Sequence, residues 1–271
     1  MTQFIGSRVL PECVYHRPTE LAEVLTLMRE SSPSVLVAGC TDFIPALRKG
    51  IRQHPDGIHL IDLKHVPELG RISFADETVT IGGATRLNRI IASDLVQEHA
   101  PLLSQAVQEM ASLQVRNSAS IGGSLCTALP AADTAPPLLA MKAEVDLLDS
   151  QGNEERIALK DFFSGPGQTI LGQDRLLKAI HIPVLKSGEV CFRRKMGLRK
   201  AFTISVISMA LRARVNGDAF EEVCLAFGAV APTPIRATGA EDLLQGKAFS
   251  SDLVDQAAAL AAQEVNPISD V

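Results

Sequence analysis

Arg116-Asn117-Ser118-Ala119-Ser120-Ile121-Gly122-Gly123-Ser124-Leu125, followed closely by Pro130-Ala131-Ala132-Asp133, is the stretch on which the fold of this chain turns. From Ser118 to Leu129 it is rich in Gly, Ser, Ala and Thr, a composition that suits a loop pressed against something else. Two other glycine-bearing stretches stand out, Gly39-Cys40-Thr41-Asp42 and Ile81-Gly82-Gly83-Ala84-Thr85. A glycine after a strand lets consecutive backbone N–H groups converge and lets a ligand approach the main chain, which is how phosphate oxygens are commonly held. Each stretch taken alone also reads as a plain β-turn; two around one site point to a pyrophosphate. GxGxxG after a strand and GxxxxGK[ST] are both absent, so a nucleotide site here is of neither the Rossmann nor the P-loop type.

Outward from these loops the pattern is mixed. Leu21, Val24, Leu25 and Met28 recur at helical spacing behind Thr19, which predicts a helix over 19–29 capped by that threonine. Val35 to Ala38 reads as a strand, with Phe43, Ala46 and Leu47 in helical spacing beyond Gly39. Ile58 to Asp62 reads as another strand, and hairpins are expected around Asp76-Glu77 and Gln151-Gly152-Asn153. Leu102 to Met110 suits a buried helix, and Leu176 to Ile182 a further strand, with the first lobe ending near Pro183. Thr203 to Val215 alternates, turns at Asn216-Gly217 and returns as Val223 to Val230, a strong hairpin signal. Helical patterns over 240–244 and 253–262 pack on one side of that sheet, giving a small α+β second domain.

A chain of 271 residues with 46% hydrophobic and 21% charged side chains has the material for two globular domains. The net charge of -5 is spread without a long basic run, so neither nucleic acid nor a membrane surface is expected as a partner. The first thirty residues carry Pro11, Glu12, Arg17, Pro18 and Glu20, not a signal peptide, and no apolar stretch approaches a membrane span, so a cytoplasmic protein is expected. Cys13, Cys40, Cys126, Cys191 and Cys224 stand far apart and predict buried free thiols, with no metal cluster in this chain. His54, His59 and His65 fit no metal-ligand spacing.

At this point a resemblance becomes specific. Val37-Ala38-Gly39-Cys40-Thr41-Asp42 resembles the first FAD loop of the flavin subunits of xanthine dehydrogenase and carbon monoxide dehydrogenase, the molybdenum hydroxylases. The stretch from Arg116 to Leu125 with Pro130 to Asp133 resembles their second. Phe162-Phe163 with Gly165 to Thr169, Leu176-Leu177 before Ile182-Pro183, and the run Phe227 to Arg236 extend the likeness over nearly the whole chain. It implies an α+β fold: a PCMH-type FAD-binding lobe, as in MurB-like and vanillyl-alcohol-oxidase-like flavoproteins, over 1–177 (subdomains 1–57 and 58–177), then a C-terminal α+β domain over 178–271 with an antiparallel sheet and packed helices.

Carried over residue by residue, the resemblance implies that Val37, Ala38, Gly39, Cys40, Thr41, Asp42 and Phe43 wrap the pyrophosphate, with Ser120, Gly123 and Ser124 on its other side. Thr127 and Asp133 would contact the flavin end, Leu176 and Leu177 would cover the cofactor, and Lys195 would approach the isoalloxazine or ribityl from the second domain. Met110, Val115, Ala119 and Cys126 complete the implied set. Read from local sequence alone, Asp133 is a helix N-cap before Ala135, Lys195 a solvated strand residue, and Leu176 and Leu177 core. Cys40 replaces a glycine common in the family, Ser124 an asparagine, and Met110 an aromatic ring that some members set against the flavin. The resemblance further implies non-covalent FAD, a large subunit with the molybdenum cofactor, a small subunit with 2Fe–2S clusters, and an external acceptor (NAD, oxygen, a quinone or ferredoxin). Two rivals are a stand-alone flavin oxidase and an assembly subunit that has lost FAD, although both phosphate loops look serviceable.

Overall fold

Short β-favouring runs alternating with two helices make the first unit. Cys13–His16 (β1), Leu21–Glu30 (α1), Ser34–Val37 (β2), Phe43–Arg48 (α2) and Ile58–Asp62 (β3) form a parallel sheet in the order β1-β3-β2. The computed structural model describes residues 10–54, 56–199 and 202–268. Val24 of α1 is fully buried in a cluster with Ile61, Leu69 and Leu176, which ties this unit to the next. The expected cap at Thr19 is corrected: Glu20 is the N-cap and makes no side-chain cap bond. The Thr19 backbone N–H, one residue before the cap, instead donates to the Glu23 carboxylate at 3.0 Å.

Ile72–Ala75 (β4) and Thr78–Gly82 (β5) form the expected hairpin, with Asp76 and Glu77 at φ 49° and 54°, the left-handed pair of a tight hairpin turn. Six helices follow: Leu87–Ile91 (α3), Asp94–His99 (α4), Pro101–Gln108 (α5), Leu113–Ser118 (α6), Ile121–Thr127 (α7) and Ala135–Ala140 (α8). The loop expected over 118–129 is thus corrected to a helix, α7. Ser120 caps it by accepting from Gly123 N–H at 3.1 Å, and Ile121 and Leu125 anchor it, both fully buried, so packing overrides a glycine-rich composition. Glu144–Asp149 (β6) and Glu154–Ala158 (β7) make the second hairpin; Phe163–Gly165 (β8) and Gln168–Thr169 (β9) form a small two-stranded pair. Arg175–Pro183 (β10) then closes an antiparallel sheet in the order β4-β5-β10-β6-β7. The principal core lies under it, built on Leu102, Leu103, Ile121, Leu138 and Phe162.

Glu189–Gly197 (β11), Ser205–Asn216 (β12), Ala219–Gly228 (β13) and Ile235–Arg236 (β14) form a second antiparallel sheet in chain order. Thr238–Leu244 (α9) and Ser251–Glu264 (α10) cover one face through Ala240, Leu244, Leu253 and Ala257. The other face, carrying Ala210 and Ala226, joins the principal core against the first lobe. The fold is α+β as expected. The expected divisions cut across sheets, however. A boundary at 57/58 separates β3 from its partners β1 and β2, and one at 177/178 bisects β10, whose pairing with β5 runs on to Pro183. Among the described residues, no helix is long and apolar enough to cross a membrane.

Candidate functional site

The first glycine loop leaves β2 and enters α2 through Cys40, whose φ of 56° is left-handed. Among the described residues, the backbone N–H groups of Cys40, Thr41, Asp42 and Phe43 have no protein acceptor. Four consecutive free donors around a left-handed residue form a concave nest of the kind that holds phosphate oxygens, so the donor set fits a pyrophosphate. Val37 and Ala38 lead into the nest and Phe43 leaves it; Val37 is buried and Asp42 exposed.

The second loop touches the first. A Cβ added to Gly39 would lie 2.4 Å from the Ser118 carbonyl oxygen and 2.6 Å from the Ala119 Cα, so glycine there is what lets the two segments meet. Gly122 N–H donates to Gly83 O at 2.8 Å, and a Cβ on Gly83 would sit 2.2 Å from Leu177 O. The stretch 81–85 is therefore a buried brace behind the second loop. Gly123 N–H is taken by Ser120 Oγ, Thr127 Oγ1 donates to Gly123 O at 2.6 Å, and Ser124 Oγ meets Thr134 Oγ1 at 2.9 Å. Gly123 is exposed, Ser124 and Thr127 half-buried, and Ser120 buried. The open donors thus belong to the first loop, and the second supplies a fitted wall.

Asp133 is 8% exposed and accepts from Lys195 Nζ at 2.7 Å and from Ser205 Oγ at 2.5 Å. Neither local reading survives. The N-cap of α8 is Thr134, and the Lys195 side chain, on β11, is only 4% exposed. Two residues earlier, on the same face of β11, Arg193 donates to Glu109 Oε2 at 3.0 Å and to Gln105 O at 3.3 Å. The Arg193 hydrogen bond holds the Glu109 carboxyl below the usual glutamate range. β11 therefore pins the second domain to the first by two ion pairs. Arg193 and Ser205 were not foreseen; the alternation Glu189, Cys191, Arg193, Lys195 on one strand face was the available signal.

Beside these pins lies a cavity of about 720 Å³, lined by Glu109, Ala111 and Arg116 from the first lobe and by Lys195, Leu198 and Phe202 from the second. Its size suits an aromatic ring system with one side open. Of the implied site residues only Lys195 lines it. Met110 is half-buried against the principal core, Val115 is exposed, and Ala119 is buried. Leu176 and Leu177, 1% and 5% exposed, lie in two different core clusters, so core is what the structure adds to their implied role. Burial pushes the Cys126 thiol up to about 12 and raises that of Cys40, which Lys64 pulls partly back; both are protonated, weak nucleophiles at neutral pH.

The sequence signature described as "FAD binding domain in molybdopterin dehydrogenase" matches residues 8–185, and "CO dehydrogenase flavoprotein C-terminal domain" matches 193–271. The chain is 32% identical over 258 residues to the xanthine dehydrogenase FAD-binding subunit of Escherichia coli O157:H7, covering 94% of this chain and 87% of that one. It is also 32% identical to the glyceraldehyde dehydrogenase medium chain of Sulfolobus acidocaldarius, over 96% of this chain and 90% of the other. The solved carbon monoxide dehydrogenase of Hydrogenophaga pseudoflava lacking the Mo-pyranopterin moiety of its molybdenum cofactor superposes with a TM-score of 0.91 at 31% identity, over 97% of this chain and 90% of that chain.

Proposed function

The chain belongs to the family of FAD-binding subunits of xanthine dehydrogenase and carbon monoxide dehydrogenase-type molybdoenzymes, and from that premise we propose that it relays electrons between a partner's 2Fe–2S clusters and an external acceptor. The partners are a large subunit bearing the molybdenum cofactor, where substrate is hydroxylated, and a small iron–sulfur subunit; the acceptor is NAD, oxygen, a quinone or ferredoxin. Bound FAD supplies the redox chemistry. The chain's own residues orient it. The free N–H groups from Cys40 to Phe43 hold the pyrophosphate, and Ala119, Ser120, Gly123 and Ser124 close against it. Cys126, Thr127 and the Asp133–Lys195 pair border the flavin end, and Met110, Val115, Leu176 and Leu177 pack around it. In this reading the FAD-binding unit runs through β10 and the second domain begins at β11.

The nest of free donors against a fitted second loop is the observation that carries the reading, because a subunit that had lost FAD has no reason to keep either. Two protonated thiols in the loops, and no histidine among the implied site residues, support a non-covalent cofactor. The test is purification of the native assembly with metal analysis and acid precipitation. Molybdenum, iron and two further polypeptides, with flavin released into the supernatant, are expected. A catalytically complete, metal-free homo-oligomer overturns the relay reading, and flavin retained on the precipitate overturns the non-covalent one.

A further inference from the structure

Arg116 stands at the head of the glycine-rich stretch, yet it is not among the cofactor-binding residues that the family resemblance implies. In the structure its guanidinium reaches back from α6 to the preceding turn, where Nη1 donates to Met110 O at 2.5 Å and to Ala111 O at 3.1 Å. Those carbonyls belong to the two peptide planes on either side of the Ala111 Cα, so one guanidinium fixes both backbone dihedrals of that residue. The dihedrals are unfavourable ones. Ala111 has a φ of 42°, a left-handed conformation that penalises any residue with a Cβ and persists only where its surroundings over-determine it.

The rest of the turn is fixed at its ends. Met110 N–H donates to Val107 O at 3.2 Å, Ser112 Oγ accepts from Val115 N–H at 3.2 Å, and Glu109 is engaged by Arg193. Among the described residues no carboxylate pairs with Arg116, and its Nε is buried without an acceptor, a cost that a purely structural arginine would relieve. Arg116 and Ala111 both line the cavity between the lobes.

We propose that Arg116 is a positioning residue for the flavin: it locks the Met110–Ala111 turn in its left-handed form and so holds the first-lobe wall of the cavity in shape for the ring system. This rests on the lobe junction being the place of the flavin ring. Arg116→Gln in the full chain weakens FAD binding about tenfold, the scale of losing a charge-assisted hydrogen bond, and shifts the visible flavin band. Arg116→Lys, which keeps the charge but ends one bond short of the Nη1 that serves both carbonyls, behaves like Arg116→Gln. Adding Ala111→Gly to Arg116→Gln restores most of the affinity and the band position, because glycine adopts the turn unaided.

Wild-type affinity and spectrum in Arg116→Gln overturn the proposal; so does wild-type behaviour of Arg116→Lys, which assigns the role to charge, or an Ala111→Gly addition that recovers nothing. Thermal melts of the FAD-free proteins are read in parallel. Recovery there on adding Ala111→Gly, with no effect of any variant on flavin, shows that the turn is locked but that the ring lies elsewhere.

Discussion

Asp133→Ala is the perturbation with the largest expected effect. Asp133 and Lys195 have side-chain exposures of 9% and 4%, and the pair joins a turn of the first lobe to β11 of the second domain. Removing the carboxylate leaves an ammonium buried without a partner and strips Ser205, 5% exposed, of its acceptor. Breaking a buried pair from one side costs about 3–5 kcal/mol, whereas replacing both members by apolar groups is often close to neutral. For a chain of this size about 1 kcal/mol moves the melting temperature by roughly 2–4 °C, so Asp133→Ala loses roughly 6–20 °C. The double variant Asp133→Ala/Lys195→Met recovers most of it. With the pair at the flavin end, as proposed, the same substitution carries a redox consequence, because a bare ammonium there favours the negative charge that reduction adds. Asp133→Ala raises the potential of bound FAD, Lys195→Met lowers it, and the double variant returns towards wild type. Thermal melts and a redox titration of the four proteins decide the matter. Equal melting of the single and double variants refutes the buried-pair argument, and unchanged potentials in both single variants remove the pair from the flavin.

Gly39→Ala drives a Cβ into the Ser118 carbonyl, so it parts the two loops, destabilises the protein by about 1–3 kcal/mol and lowers FAD retention in a dialysis assay. A Cβ at Gly123 meets only the Ser120 hydroxyl, at 2.9 Å, so Gly123→Val stays folded by circular dichroism while equilibrium dialysis shows FAD lost. Cys40→Gly relieves a left-handed cysteine and raises stability by about 0.5–1 kcal/mol with FAD retained; a fall in denaturant midpoint contradicts it. The Arg193 hydrogen bond lowers the pKa of Glu109, and the Lys142 hydrogen bond that of Glu222. A depressed carboxylate pKa contributes stability above the unfolded value of about 4.3 and loses it as pH falls through the folded value. These two contributions therefore weaken as pH falls below about 4.3 through the folded values, a modest loss of stability that melts at graded acid pH will show, and Glu222→Gln flattens that limb.

Why some of this was legible in the sequence and some was not follows from where the determining interactions lie. The strand at Ile58–Asp62 and the hairpin at Asp76-Glu77 were readable because period-2 alternation and left-handed turn residues are local properties, and the hairpin expected at Asn216-Gly217 turns one residue later, at Gly217-Asp218, with Gly217 left-handed. The helix α7 was not, since glycine and serine argue against a helix locally, while Ile121, Leu125 and the Ser120 cap argue for it only once the core is assembled. The strand β11 inverts the usual rule. Its apolar members Val190, Phe192 and Met196 are exposed at 54%, 52% and 59%, whereas Glu189, Arg193 and Lys195 turn inward to ion pairs. An alternation scan that assigns apolar residues to the core would orient this strand backwards, and the segment is too charged to invite one. The candidate site divides the same way. Its loops were recognisable from glycine spacing and from the family resemblance, but the partner of Asp133 lies 62 residues away, on a strand whose buried face is the charged one. What joins the two segments is thus a tertiary pairing between two domains, and no local rule applied to either segment would have supplied it.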